Sequence, residues 1–230
     1  MRPDPQRAIE NYRELAAGYD ASSRHETPLR LRTIDLLQLA AGQRVLDVAC
    51  GTGLSFAPLL QRVGPNGRVV GIEVSPAMAQ LARERVQREG WTGVEVKIGD
   101  VAATDLDAGG FDAALFHYTH DVLQAPEALA RVFASLRPGA RVAVAGLKTT
   151  HPLLVPLNLS AWWRGRRYRT TDANLRTPWI HLLRWVPDFS WRPTYLGTGY
   201  IGSGTVRASG ALPAADAPPK GTAAASPPSW

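Results

Sequence analysis

Short apolar segments alternate with helix-like segments through the middle of the chain, from residue 43 to residue 146. The apolar segments are rich in β-branched residues and read RVLDVA, RVVGIEV, VEVKIG, FDAALFHY and ARVAVAGL. Between them, apolar residues recur at helical spacing over 54–63, 76–89 and 122–136. Strands that alternate with helices form a parallel sheet covered by helices on both faces. The pattern therefore predicts an α/β fold, with a loop at 137–141 before the fifth strand.

The segments on either side of this unit are less regular. An interrupted helical pattern precedes it, and a proline-interrupted region follows it. Two late strand-like segments, FSWRPTYL and GYIGSGTV, flank a glycine-containing turn that is typical of a hairpin. The end of the chain is rich in Ala, Pro and Ser, a composition typical of disorder. We expect four parts: a helical arm over 1–40, a ligand-binding core over 41–150, a cap and hairpin over 151–207, and a disordered tail over 208–230.

Composition narrows the class of protein and its partners. No long uninterrupted apolar run is present and the N-terminus lacks a signal-peptide pattern, so we expect a cytoplasmic protein. The single cysteine, Cys50, and scattered histidines have no metal-ligand spacing, so we expect no metal. The net charge of +6 would attract phosphates, but basic residues are concentrated only at 162–169. Because no nucleic-acid-binding module is recognisable, we expect no nucleic-acid partner.

The first strand ends in the glycine-rich stretch VLDVACGTG, residues 45–53. Glycines between a strand and a helix let backbone amides approach a ligand at the carboxyl edge of the sheet. A dinucleotide-binding turn has a third glycine, and here that position holds the bulky Phe56. The motif therefore indicates a ligand site and disfavours NAD.

Acidic residues end the next two strands. Glu73 closes the second strand, where a carboxylate can accept hydrogen bonds from both hydroxyls of a ribose. Asp100 closes the third strand, where it could bond the amine of adenine while Val101 packs on the ring. Together with the glycine turn after the first strand, the two acids at the ends of the next two strands predict an adenosyl ligand without a pyrophosphate.

These motifs, with YRELAAGYD, FDAALFHYTHDVL and LRPGARVAVAG, resemble the class I S-adenosylmethionine-dependent methyltransferases. The chain is most similar to the ubiquinone and menaquinone biosynthesis group, over about residues 8–206. The resemblance implies a Rossmann-like fold with a seven-stranded, mostly parallel sheet and a C-terminal antiparallel hairpin. It also implies a helical N-terminal arm, a helical cap before the hairpin, and S-adenosyl-L-methionine as cofactor.

The resemblance also implies roles for individual residues. Asp47 would orient the glycine loop and bind the amino acid end of the cofactor, Glu73 would hold the ribose, and Asp100 would take the adenine amine. Tyr12 and Tyr19 on the arm would close over the methionine end. The remaining cofactor-binding positions are Ala49, Gly51, Gly53, Val74, Val101 and His117. Ala49 replaces a glycine of many relatives, and we expect little loss of binding from it.

A cluster of polar residues, FHYTHDVLQ, follows the fourth strand at 116–124. A histidine there is a natural base for a hydroxyl or an acidic carbon, because its ordinary pKa lies close to neutral pH. His120 is the first candidate, oriented by Asp121, and His117 and the arm residue His25 are the others. In the alternative interpretation, His117 shapes the cofactor pocket while His120 and Asp121 cap a helix starting near Val122. Positioning alone suffices for a neutral amine acceptor.

The segment 157–185 combines four tryptophans with a cluster of arginines at 164–169. It could wall an aromatic acceptor, contact an anionic membrane through 162–169, or form a solvated helical cap. We therefore expect a methyltransferase acting at oxygen, carbon or nitrogen of a small aromatic or cyclic acceptor, such as a natural product or a quinone-type metabolite. The alternatives are methylation of a membrane lipid or phospholipid headgroup, and a non-catalytic cofactor-binding accessory protein. The sequence makes no prediction of oligomeric state.

Overall fold

The computed structural model describes residues 2–207 and is built on one seven-stranded sheet of order β3-β2-β1-β4-β5-β7-β6. The strands are β1 (Arg44–Val48), β2 (Arg68–Glu73), β3 (Val94–Ile98), β4 (Phe111–His117), β5 (Leu136–Leu147), β6 (Ser190–Thr194) and β7 (Gly199–Thr205). The first five pair in parallel, while β7 is antiparallel to both β5 and β6. The mostly parallel sheet with a terminal hairpin is confirmed. The predicted disordered tail, 208–230, lies outside the described residues.

Eight α-helices surround the sheet within residues 2–207. They are α1 (Pro5–Leu15), α2 (Tyr19–Ser22), α3 (Thr27–Asp35), α4 (Phe56–Val63), α5 (Pro76–Arg88), α6 (His120–Leu123), α7 (Pro126–Ser135) and α8 (Val155–Gly165). Short 3₁₀ turns at Ala16–Gly18 and Arg24–Glu26 connect the three arm helices. In this part of the chain, every helix is too short or too polar to cross a membrane.

Side chains that alternate along the strands build two separate cores. On one face, Leu46 and Val48 of β1 pack with α7 and with the segment around Leu182. On the other face, Val45 packs with α3, α4 and α5. Successive strand residues point to opposite faces, so one continuous apolar run supplies both layers.

The order of the strands reverses at β1, which pairs with β2 on one side and with β4 on the other. Open α/β sheets bind ligands in the crevice at such a switch point, outside the carboxyl ends of the strands. The carboxyl ends of β1 to β5 therefore define the functional edge of this sheet.

Two element predictions were wrong in detail. The helix expected over 122–136 is split into α6 and α7 because Pro126, which lacks an N–H group, begins a new helix. The loop expected at 137–141 lies inside β5: Leu136 pairs with Phe111, and after a shift in register Arg141 pairs with Ala113. The predicted helical cap before the hairpin is present as α8 and a 3₁₀ turn at Leu182–Arg184.

Candidate functional site

The glycine loop after β1 is held by hydrogen bonds to the end of β2. The amide of Cys50 donates to the Ile72 carbonyl (3.0 Å) and that of Gly51 to Oε2 of Glu73 (3.0 Å). The loop requires positive φ at Ala49 (51°), Gly51 (58°) and Gly53 (77°). A side chain at such a position costs about 1 to 2 kcal/mol, so Ala49 carries strain that glycine would not.

Side-chain packing, as well as ligand binding, accounts for the glycine at position 53. A Cβ added at Gly53 would lie 2.5 Å from the Phe56 ring, and one at Gly71 would lie 2.7 Å from the same ring. Phe56 is fully buried between the two glycines. Phe56, which disfavours a dinucleotide site, therefore also explains why positions 53 and 71 are glycines.

Glu73 ends β2, and Asp100 follows the end of the neighbouring strand β3 by two residues. Oε1 of Glu73 accepts from the Ser75 amide (2.8 Å), so its carboxylate joins the glycine loop to the start of α5. Burial raises the pKa of Glu73, and the backbone hydrogen bonds oppose that rise. Asp100 is half-buried and accepts from the Ala102 amide (2.9 Å). Each carboxylate oxygen has a second lone pair for a hydroxyl or amine of a ligand.

Asp47 is a buried acid whose second oxygen has no hydrogen bond within residues 2–207. Burial raises its pKa to about 7, although Arg30 lowers the pKa and Glu73 raises it further. Buried polar atoms are almost always paired in folded proteins. The unpaired oxygen therefore marks a place for a donor group of a ligand, which fits the predicted amino end of the cofactor.

Tyr12 and Tyr19 on the arm meet Tyr168 from the segment after α8. The three ring centroids are 6.3 to 6.4 Å apart, and the Tyr12 hydroxyl donates to the Tyr168 carbonyl (3.1 Å). Burial raises the pKa of both arm tyrosines. Nothing in the local sequence around Tyr168 connects this residue to the arm.

A cavity of about 280 Å³ lies between the arm, the ends of β4 and β5, and the segment around α8. Its walls include Leu147, Trp163, Leu175 and Tyr200, and polar side chains of the arm face it. The polar lining residues include His25, Glu26, Arg30, His120, Arg164 and Arg167.

The histidines differ in their surroundings. Burial and Arg169 lower the pKa of His120 to about 4, and burial lowers that of His117 well below its usual range. Neither ring nitrogen of His120 has a hydrogen bond of ordinary geometry within the described chain. His117 is not among the residues that line the cavity.

Asp121 does not orient His120. Its carboxylate accepts hydrogen bonds from the Thr170 amide (2.8 Å) and the Thr170 hydroxyl (2.8 Å), so it ties α6 to the segment after α8. The alternative capping role is also wrong, because α6 begins at His120 itself and follows Thr119. Thr170 is buried and lies 49 residues from Asp121 in the sequence, so the local sequence cannot reveal this pairing.

His25 lies in a hydrogen-bonded cluster that the sequence analysis missed. Its Nε2 is 3.0 Å from Oε1 of Glu26, and its side chain is 70% exposed. Oε2 of Glu26 accepts from the hydroxyls of Tyr118 (2.5 Å) and Tyr195 (2.7 Å). The adjacency of His25 and Glu26 in the sequence was the available signal, but the two tyrosines come from distant segments.

Comparisons with known proteins agree with this geometry. A methyltransferase domain family model matches residues 45–139. Nocamycin O-methyltransferase of Saccharothrix syringae is 35% identical over 57% of this chain and 48% of its own length. Ubiquinone/menaquinone biosynthesis C-methyltransferase UbiE of Yersinia enterocolitica is 34% identical over 55% of this chain and 50% of its own length. The chain thus spans about half the length of these relatives.

Solved structures show the same fold. A SAM-dependent methyltransferase from Aquifex aeolicus superposes with a TM-score of 0.58 at 20% identity, covering 88% of this chain and 98% of that one. Haemonchus contortus phosphoethanolamine N-methyltransferase 2, solved with S-adenosyl-L-methionine, gives 0.61 at 14% identity over 77% and 52% of the two chains. Residues 45–139 thus match a methyltransferase domain family, and the sheet order is the fold of S-adenosylmethionine-dependent methyltransferases.

Proposed function

We propose that this protein transfers a methyl group from S-adenosyl-L-methionine to a small aromatic or cyclic acceptor bound in the cavity beneath α8. The observation that carries the proposal is the position of this cavity. Tyr12 and Tyr19 line it, and the Tyr19 ring lies 3.9 Å from where a Cβ on Gly51 would be. Tyr19 therefore lies between the cavity and the glycine loop.

The residues at the sheet edge fit the cofactor. Asp47 has an unpaired buried oxygen for the amino group, Glu73 has lone pairs for the ribose hydroxyls, and Asp100 can take the adenine amine. Val74 and Val101 would flank the adenine. When bound, S-adenosyl-L-methionine supplies a methyl group on a positively charged sulfur.

The cavity suits a compact, largely apolar acceptor. Its volume of about 280 Å³ is close to the lower end of the range for small-molecule sites, about 300 to 1,000 Å³. Aromatic and aliphatic walls would hold a ring, and the similarity to a nocamycin O-methyltransferase and to a ubiquinone/menaquinone biosynthesis C-methyltransferase supports this class of acceptor. Orientation of the acceptor by these walls supplies the proximity that methyl transfer requires.

We assign the role of base to His25, held by Glu26, for acceptors that must lose a proton. Contact between Nε2 and the carboxylate fixes the ring and leaves Nδ1 able to accept a proton from a hydroxyl or an acidic carbon. His120 is a weaker candidate because its lowered pKa makes it a poor base near pH 7. His117 stays a proposed part of the cofactor pocket.

The test combines binding with turnover. We expect S-adenosylhomocysteine to bind in isothermal titration and a panel of phenolic, enolic and quinol acceptors to yield methylated product by mass spectrometry. Glu73→Ala should abolish both, whereas Glu14→Ala, a change at an exposed arm residue, should alter neither. Binding without product across the panel would favour a non-catalytic accessory protein, and absence of binding would contradict the proposal.

A membrane-held acceptor is a second version of this function, favoured by the surface around α8. Leu153, Val155, Leu159 and Trp163 are between 61% and 83% exposed there. Arginines follow directly, and Arg166 lies over the ring of Trp163 (5.7 Å). No acidic residue occurs from 149 to 171. Apolar and aromatic side chains beside arginines match the interface of an anionic bilayer.

Vesicle sedimentation tests this version. We expect the protein to sediment with vesicles of phosphatidylglycerol and phosphatidylcholine but not with phosphatidylcholine alone. The double change Leu159→Ser with Trp163→Ala should abolish sedimentation, while Leu196→Ser, at an exposed residue outside this surface, should not. If the protein methylates soluble acceptors but does not sediment with anionic vesicles, the membrane-held acceptor is contradicted and the soluble acceptor is not.

A further inference from the structure

The charged residues that line the cavity are mostly basic. Four arginines and one acid are among the lining residues: Arg30, Arg164, Arg167, Arg169 and Glu26. The carboxylate of Glu26 is already engaged, because it contacts His25 and accepts from two tyrosine hydroxyls. A cleft lined by one sign of charge concentrates ligands of the opposite sign. The lining therefore favours an acceptor that carries an acidic group.

Two of the four arginines act elsewhere. Arg169 is ion-paired with Asp172 (2.6 Å). Burial raises the pKa of Tyr19 and the charge of Arg30 opposes that rise, so Arg30 acts beside the glycine loop, which Tyr19 approaches. The positive charge on the other side of the cavity belongs to the remaining two arginines, at the end of α8.

Arg164 and Arg167 lie three residues apart at this end of the cap. Nη2 of Arg164 donates to the Thr198 hydroxyl (3.0 Å), and its guanidinium lies 6.0 Å from the centre of the Tyr195 ring. Arg167 makes no hydrogen bond or ion pair within residues 2–207, and Arg164 has no acidic partner there. A guanidinium has five N–H donors, so Arg164 keeps donors for a ligand. Because both residues are exposed and also line the cavity, they mark its opening.

The neighbouring Arg166 is used differently. Its guanidinium lies over the rings of Trp162 (5.9 Å) and Trp163 (5.7 Å), and it is not among the residues that line this cavity. The arginines at 164–169 look alike in the sequence. The fold directs two of them to the opening of the cavity and one onto the tryptophans.

We propose that Arg164 and Arg167 bind an acidic substituent, a carboxylate or a phosphate, of the methyl acceptor at the opening of the cavity. This inference rests on the proposed function and deepens it, because it narrows the acceptor to acidic aromatic or cyclic compounds. Arginine binds these anions through parallel, charge-assisted hydrogen bonds, which are stronger than those between neutral groups. The ring of the acceptor would lie against apolar walls such as Trp163 and Leu175. The acidic substituent thus selects the acceptor and takes no part in methyl transfer.

The phosphate of an anionic lipid presents the same chemistry to these two arginines. The experiment must therefore separate an acid carried by the acceptor from a phosphate at a bilayer surface. Matched soluble acceptors report on the first source, and vesicles of phosphatidylglycerol and phosphatidylcholine report on the second.

Isothermal titration into the full chain saturated with S-adenosylhomocysteine is the test. Hydroxybenzoates and hydroxynaphthoates are each compared with the corresponding amide, which has nearly the same shape and no charge. We expect the acid to bind about 10-fold more tightly than the amide. In Arg164→Gln and in Arg167→Gln, affinity for the acid should fall about 5- to 20-fold, while affinity for the amide should change less than about 2-fold. Arg131→Gln is the control, because it removes the same charge at an exposed residue of α7 outside the cavity lining and should alter neither affinity.

The outcomes separate this inference from the function on which it rests. Equal affinity for acid and amide, or binding of none of the acids, would overturn the inference. Equal losses for both members of a pair in the two variants would also overturn it, because the arginines would then only support α8. If the preference for the acid survives in both variants while sedimentation with anionic vesicles is lost, the arginines bind lipid phosphate instead. Methylation of neutral acceptors would leave the proposed function intact in all these cases, whereas absence of S-adenosylhomocysteine binding would remove it.

Discussion

The two halves of the site are built in different ways. The proposed donor half, at the ends of β1, β2 and β3, consists of short motifs whose residues contact one another within each turn and the next strand, such as Glu73 with Gly51. The acceptor half joins segments that are far apart in the chain: Glu26 meets Tyr118 across 92 residues and Tyr195 across 169. The donor half is therefore fixed by local geometry, and the acceptor half by the packing of the arm against the cap.

The largest expected effect tests the acceptor half. Replacing His25 with Ala should lower turnover of a phenolic acceptor about 100-fold or more, because general-base catalysis contributes about 10² to 10⁴. His120→Gln should lower it much less, since its pKa of about 4 makes it a poor base at neutral pH. Single-turnover rates measured with a phenol and with a neutral amine give the check. If both acceptors respond equally to His25→Ala, the histidine acts through structure and not as a base.

The next effect tests how rigid the donor half is. Gly53→Ala places a Cβ 2.5 Å from Phe56 at a φ of 77°, so we expect a loss of about 3 kcal/mol in the free energy of unfolding. Gly42→Ala is the matched control, because Gly42 has a φ of 83° and open space around it. Its loss should be about 1 to 2 kcal/mol, the strain alone. Urea denaturation measures both, and equal losses would contradict the packing role of Phe56.

A smaller effect concerns pH. Burial raises the pKa of Asp47 from 3.8 to about 7. Protonation of Asp47 therefore stabilises the folded, ligand-free chain, and this stabilisation is fully present below pH 3.8. That contribution to stability is lost as pH rises from about 4 through 7. An ammonium prefers the ionised carboxylate, so affinity for S-adenosylhomocysteine should rise with pH up to about 7, by less than about 10-fold per unit. Titration at pH 5.5 to 8 should show this slope, and Asp47→Asn should flatten it.

The smallest effect concerns the strained position in the donor loop. Ala49→Gly should raise the free energy of unfolding by about 0.5 to 1 kcal/mol, because relief of strain at a φ of 51° exceeds the added entropy of the unfolded chain. Ala40→Gly, at an exposed position without positive φ, should lower it instead. A stability loss for Ala49→Gly would show that its methyl group contributes packing that outweighs the strain.

The comparison also explains which predictions from the sequence succeeded. Apolar periodicity gave the order of strands and helices, and the strand-end positions of Asp47, Glu73 and Asp100 placed them on one edge of the sheet. Such inferences work because strand direction and side-chain alternation are properties of a few neighbouring residues. The errors occurred where a local signal was ambiguous, as at Pro126 and at the start of β5.

The sequence could not predict which side chains pair across the cavity. Asp121 was expected beside its neighbour His120, yet it bonds Thr170, 49 residues away. The sequence by itself determined the α/β fold, the resemblance to methyltransferases and the edge of the sheet at which the proposed cofactor site lies. Only the tertiary structure decided which acids and bases meet at the acceptor side, because burial and long-range packing set their partners and their pKa values.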